Sequence, residues 1–93
     1  MTGKILNGIG NLYTDNKITV IHKSLLKDEN IPSHNHEEFN IFFMVVKGRV
    51  EVFLNEIEKY YLEDGDILNF DGNSYISAKG LKDSDIYVYL VRK

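Results

Sequence analysis

Residues 34–48 read HNHEEFNIFFMVVKG, and this stretch determines how the rest of the chain is interpreted. His34 and His36 stand one residue apart and precede a run that is apolar at positions 41–46 and stops at Gly48. Consecutive apolar residues predict a strand that is covered on both faces, unlike a strand with one face in water. The glycine at the end of the run predicts a tight turn, because glycine readily adopts left-handed backbone angles, and residues 49–54 after it predict that this turn closes a β-hairpin.

We predict different surroundings for the two faces of this strand. Because side chains alternate along a strand, one set should face the same interior as His34 and His36, and the other set should face away from it. The inward set is Ile41, Phe43 and Val45, and the outward set is Phe42, Met44 and Val46. The outward set needs cover from a second sheet, from the N-terminal arm or from another subunit. For so small a domain we favour the last of these and predict a homodimer.

The remainder of the chain is divided into short apolar or β-branched segments separated by turn residues. Predicted strands cover residues 18–26, 40–46, 49–54, 57–62, 67–70, 74–78 and 86–91, and a further strand begins at Pro32. The glycine-rich N-terminus is predicted to be an irregular arm with a short strand at residues 4–6, and Asn55 with Glu56 is predicted to form a hairpin turn. This spacing indicates one all-β domain over residues 1–93, with the arm at 1–16 and a barrel or sandwich at 17–93.

Composition narrows the classes of function. The 93 residues contain 11 Lys and Arg against 14 Asp and Glu, giving a net charge of -3 without a basic stripe, so direct nucleic-acid binding is not expected. The absence of cysteine excludes disulfides, thiolate nucleophiles and cysteine-bound metals. No apolar run has the length of a signal peptide core or of a spanning helix. A cytoplasmic protein without membrane contact is therefore expected.

The motifs resemble those of the cupin family, whose small jelly-roll barrels share the patterns G-x5-H-x-H-x3,4-E-x6-G and G-x5-P-x-G-x2-H-x3-N. His34 and His36 supply the first H-x-H, Gly48 falls on its closing glycine, and Gly65 opens the second pattern. The resemblance extends over residues 18–91 and implies a cupin-type jelly-roll barrel, also called a double-stranded β-helix.

The resemblance also implies a metal site, and here the sequence departs from the family. Three histidines and one carboxylate would hold a divalent transition metal, but the glutamate position falls on Ile41 and the third histidine position on Ile76. Only His34 and His36 remain as candidate ligands, unless Glu38, Asn40 or His22 joins them, because two imidazoles rarely hold a divalent ion tightly. The alternative is a pair of half-buried, hydrogen-bonded histidines in an apolar interior.

We therefore predict a ligand pocket formed by His34, His36, Ile41 and Ile76, and we assign no catalytic residue. The favoured function is a stand-alone, non-catalytic barrel that binds a small molecule or has a structural role. One alternative is a metal-dependent cupin enzyme, such as a dioxygenase or isomerase, with a reduced ligand set. Another is a ligand-sensing domain, since the chain resembles AraC-type regulators in its H-x-H, V-x-K-G and G-D-I segments. Without a helix-turn-helix segment it would act through a separate partner.

Overall fold

Residues 2–93, which the computed structural model describes, form nine strands in two antiparallel sheets. The strands are β1 (Gly10–Thr14), β2 (Ile18–Leu25), β3 (Asn30–His34), β4 (Phe39–Lys47), β5 (Arg49–Leu54), β6 (Glu58–Glu63), β7 (Ile67–Asp71), β8 (Ile76–Gly80) and β9 (Ser84–Arg92). The larger sheet has the order β1-β2-β9-β4-β7 and the smaller sheet the order β3-β8-β5-β6. The all-β prediction is confirmed. No helix in the described part of the chain is long and apolar enough to cross a membrane.

The core lies between the two sheets and follows the alternation of their side chains. On β4 the residues Ile41, Phe43 and Val45 are 1%, 2% and 0% exposed, and on β5 the residues Val50 and Val52 are both 0% exposed. Burying a side chain of this size contributes about 1.5–3 kcal/mol. The inward set predicted for β4 is therefore confirmed, and this strand is not at an edge of its sheet because it pairs with both β7 and β9.

The strand predictions from residue 18 onward agree with the structure within a few residues, with one change at Pro32. This residue lies inside β3 rather than at its start. β3 is an edge strand, and its pairing with β8 is irregular between Ile31 and His34. A proline without a backbone N–H is tolerated at such an irregular edge.

The N-terminal prediction was wrong in two respects. Residues 4–6 are not in a strand, and Gly10–Thr14, which we expected to be irregular, is strand β1 at the edge of the larger sheet. Gly10 has φ of 108°, and the register of β1 against β2 shifts between Asn11 and Tyr13. Residues 10–14 form a strand because they pair with β2. The β-propensity of the segment alone does not predict this pairing. Met1, the first residue of the predicted arm, lies outside the described residues.

The structure has turns at both predicted positions, but only the second joins a hairpin. The β-hairpin predicted at Gly48 is wrong, because β4 and β5 belong to different sheets and do not pair with each other. Gly48 joins β4 to β5 with φ of 116°, and a Cβ at this position would collide with Ser84. Asn55 and Glu56 join β5 to β6 with φ of 54° and 60°, both in the left-handed region, as in a type I′ turn.

Candidate ligand cavity

A cavity of about 50 Å³ lies between the sheets, at the end of the barrel where the His34–His36 stretch begins. Its walls come from six strands and the turn after β3. The lining residues are Ile21, Lys23, Ile31, His34, His36, Ile41, Phe43, Phe70, Ile76, Val88 and Leu90. The volume corresponds to roughly two water molecules at about 30 Å³ each. A wider depression of about 400 Å³ at Ser33, Asn55, Glu56 and Tyr75 is open to solvent, whereas this cavity is more enclosed and its lining is mostly apolar.

His34 is held by its own strand. It ends β3 opposite Ile76 of β8, and its Nδ1 lies 2.8 Å from the carbonyl oxygen of Pro32. Because a carbonyl oxygen can only accept, Nδ1 must be the donor in this hydrogen bond. The Nε2 atom of the neutral ring then carries a free lone pair, so His34 can offer an acceptor, or a donor once protonated.

His36 reaches the same cavity by a different route. We predicted that strand alternation would align the two histidines, but β3 ends at His34 and His36 lies in the following turn. The rings of His34 and His36 nevertheless meet edge to face, with centroids 4.9 Å apart. The backbone N–H of His36 donates to the carbonyl of Gly72 (2.9 Å), and the N–H of Gly72 donates to the carbonyl of Phe39 (2.8 Å).

Gly72 is the positioning residue that the sequence did not reveal. Its position is buried, and a Cβ there would collide with the carbonyl oxygens of His36 and Phe39. The sequence indicated only a turn at residues 71–73, since a glycine needed for close backbone approach looks the same as a glycine needed for a turn. No signal within the sequence connects position 72 to position 36, because the contact is tertiary.

The electrostatics of the cavity favour a neutral ring at His36. Burial lowers the pKa of His36 from its ordinary value of 6.5, and the charge of His34 lowers it further. Lys23 lines the cavity and is exposed, so this residue lies at the mouth of the cavity. No carboxylate is among the lining residues in the described chain. Among the described lining residues, Lys23 is therefore the only side chain that carries a permanent charge, and it is a cation.

Ile41 and Ile76 occupy the positions where the cupin pattern would supply the remaining metal ligands. They are 1% and 4% exposed and belong to the hydrophobic core. The four residues of the predicted pocket thus line one cavity, two as imidazoles and two as hydrocarbon walls. Whether a ligand enters it stays a prediction.

The three residues that could have completed a metal site do not reach the cavity. Glu38 is paired with Arg92 at 3.0 Å on the surface, Asn40 accepts a hydrogen bond from Asn69, and the ring of His22 stacks on Tyr87 on the outer side of the larger sheet. Within residues 2–93, no three His, Cys, Asp or Glu side chains are grouped so that they could hold a metal ion. Two imidazoles among hydrocarbon side chains do not fit the four-ligand site of the cupin pattern.

Solved structures with the same architecture support the fold assignment. An RmlC-like cupin family protein with a double-stranded β-helix fold from Methanocaldococcus jannaschii is similar with a TM-score of 0.85 and 16% identity, over 99% of this chain and 93% of that one. An RmlC-like cupin protein from Desulfovibrio desulfuricans is similar with a TM-score of 0.82 and 11% identity, over 98% and 91%. KdgF from Halomonas sp. has a TM-score of 0.79 and 23% identity, over 89% and 77%.

This chain therefore has the cupin fold, as its motifs predicted. No family model matches the sequence, and a comparison with curated proteins found no match. At 11–23% identity, these structures establish the shape of the chain but not its activity.

Proposed function

We propose that this protein is a non-catalytic cupin barrel that binds a small anionic ligand with a short apolar group. The observation that carries the proposal is the composition of the cavity wall, which is hydrocarbon except for His34, His36 and the cation Lys23 at the mouth. An apolar pocket with a few convergent polar groups is the usual form of a small-molecule site. The cytoplasmic location expected from the sequence remains part of the proposal.

The size of the cavity limits the ligand. Sites for drug-sized molecules span about 300–1,000 Å³, so a 50 Å³ cavity accepts only a branched or short alkyl group. The polar head of the ligand would stay at the mouth, where a carboxylate can accept hydrogen bonds from the ammonium of Lys23 and from an N–H of His36 or of protonated His34. Charge-assisted bonds of this kind are about twice as strong as neutral ones.

Catalysis is not favoured by the same geometry. Acid–base catalysis commonly uses a carboxylate, either as the acid or base itself or to stabilise a protonated histidine, and no carboxylate is among the described lining residues. The two histidines are better placed to position a ligand than to move its protons.

A matched pair of probes tests the proposal directly. Isobutyrate and isobutylamine have the same branched alkyl group and opposite charges, so titration of ¹⁵N-labelled protein with each separates charge recognition from apolar contact. We expect isobutyrate to shift the amide resonances of His34, His36 and Ile76, and isobutylamine to leave them in place. Equal shifts from both probes, or shifts from neither, would contradict an anion site.

Single variants assign the binding to the cavity. Lys23→Gln and His34→Gln should each weaken isobutyrate binding about tenfold, which corresponds to about 1.4 kcal/mol. Lys47→Gln is the control, because Lys47 is exposed at the end of β4 and does not line the cavity. A loss of affinity in the control equal to that in Lys23→Gln would indicate a general charge effect.

Elemental analysis of the purified protein separates this proposal from the metal-dependent enzyme. Stoichiometric metal that disappears when His34→Ala and His36→Ala are combined would overturn the non-catalytic assignment and support the enzyme. Metal-free protein that retains isobutyrate binding would support the anion site.

A further inference from the structure

A second, wider depression of about 350 Å³ adjoins the cavity between strands β2 and β3. The two spaces share three lining residues, Ile21, Lys23 and Ile31. In the described chain β1 pairs with β2 only as far as His22, and residues 23–25 of β2 pair with β9 alone. This edge of β2 is therefore left open. A molecule that enters the cavity beside Lys23 has room for its outer end in the depression.

Two side chains of opposite charge line the depression. Lys23 comes from β2, and Glu29 comes from the turn that joins β2 to β3. Both are exposed, and neither forms a salt bridge with another residue of the described chain. Glu29 does not line the cavity itself, so the negative charge is confined to the depression. A ligand that carries both charges can pair with each of these groups.

The carboxylate of Glu29 is held in place by its turn. Its Oε1 accepts a hydrogen bond from the backbone N–H of Leu26 at 2.7 Å, and its backbone carbonyl accepts one from the N–H of Gly80 at 2.9 Å. Gly80 is buried, and a Cβ there would collide with the carbonyl oxygen of Leu26, so turn and strand are in close contact. Because the carboxylate is already ordered through Oε1, a donor that binds Oε2 loses less entropy in ordering it.

The order of these groups matches one class of small molecule. The apolar cavity accepts a short branched alkyl group, Lys23 stands where the two spaces meet, and Glu29 lies in the depression beyond. An α-amino acid carries an alkyl side chain, a carboxylate and an ammonium group on one carbon atom. Ser24 and Asn30 also line the depression, and their oxygens are acceptors that an ammonium group can use.

We propose that the cavity and the depression form one site for a free α-amino acid with a short branched side chain. The alkyl group enters the cavity, the carboxylate binds Lys23, and the ammonium group binds Glu29. The inference rests on the anion site proposed above and adds a positive charge to the ligand. A carboxylate without an ammonium group binds more weakly, because it leaves Glu29 unpaired near a second negative charge.

Three ligands with the same isopropyl group test this inference. L-Valine carries both charges, isovalerate lacks the ammonium group, and L-valinamide lacks the carboxylate. In titrations of ¹⁵N-labelled protein at pH 7, we expect L-valine to bind about fivefold more tightly than isovalerate, as for a partly exposed charge pair. L-Valinamide should not bind, because it places a second cation beside Lys23. Only L-valine should shift the amide resonances of both Glu29 and Ile76.

Glu29→Gln tests whether Glu29 binds the ammonium group. Glutamine keeps an oxygen that can accept from the N–H of Leu26, so the turn is retained while the charge is lost. This variant should bind L-valine and isovalerate equally. Glu56→Gln is the matched control, because it removes the same charge from an exposed residue that lines neither space, and it should keep the fivefold preference.

The outcomes separate this inference from the anion site on which it rests. Isovalerate that binds the wild-type protein as tightly as L-valine would overturn the amino-acid site and leave the anion site in place. No binding of isobutyrate, isovalerate or L-valine would overturn both. Equal loss of the preference in Glu29→Gln and Glu56→Gln would overturn the role of Glu29. The comparison of ligands on the wild-type protein decides the inference even if Glu29→Gln does not fold.

Discussion

The two sides of strand β4 are equally apolar in sequence and differ completely in their surroundings. Ile41, Phe43 and Val45 are buried between the sheets, while Phe42 and Met44 on the other side are only half-buried and Val46 is 43% exposed. The inner side forms the cavity wall and the core. In the described chain no second layer packs on the outer side. A strand that is apolar on both faces therefore does not show that both faces are buried within one chain.

The largest effect is expected on the inner side. Phe43→Ala removes a ring that is 2% exposed and opens a void in the core, so we expect the free energy of unfolding to fall by about 3–5 kcal/mol. Urea denaturation measures this loss. A loss below 1 kcal/mol would mean that the inner side is loosely packed and that the contrast between the two sides is overstated.

Gly72→Ala should disturb the inner side at the beginning of β4. The added Cβ would collide with the carbonyls of His36 and Phe39, and relief of such overpacking typically costs about 1–3 kcal/mol. The ring resonances of His36 should also move, since its backbone N–H is bound to Gly72. Gly3→Ala is the control: nothing lies within 4 Å of a Cβ at that position, so its stability should be unchanged.

On the outer side the same kind of truncation should cost much less. Phe42→Ala, measured at a dilution at which the wild type is monomeric, should lower the free energy of unfolding by about 1 kcal/mol, the usual size of a change outside the core. Urea denaturation at two protein concentrations separates this cost from that of dissociation. If Phe42→Ala is as costly as Phe43→Ala at high dilution, the outer side is covered within one chain.

The smallest expected effect concerns the pH dependence of stability at the inner side. The pKa of His36 is lowered in the folded state, so below about 6.5 the unfolded chain binds more protons than the folded chain. Above pH 6.5 the ring of His36 is neutral in both states, and protonation does not oppose folding. The free energy of unfolding falls as the pH drops from about 6.5 toward the lowered pKa, because protonation then favours the unfolded chain. His36→Gln should flatten this decline, measured by denaturation at pH 7 and pH 5. His34→Gln should flatten it partly, because the charge of His34 contributes to the shift.

Much of the fold could be predicted because its signals are local. Alternation along β4 and β5, the left-handed turn at Gly48 and the turn residues Asn55 and Glu56 depend on neighbours along the chain. Strand β1 could not be predicted in this way, since Gly10 and Asn11 at its start have little strand propensity and pairing with β2 makes the segment a strand.

The same distinction between local signals and tertiary contacts applies to the candidate site. The sequence by itself predicted that His34, His36, Ile41 and Ile76 would line one cavity, because its resemblance to the cupin motifs assigns all four to the ligand positions of one fold, and these residues do line one cavity. Only the tertiary structure decided how His36 is held, since Gly72 approaches it from 36 positions away, and which ionisable group stands at the mouth, since Lys23 arrives on another strand. Contacts between distant segments depend on packing, and packing leaves no periodic signal in the sequence.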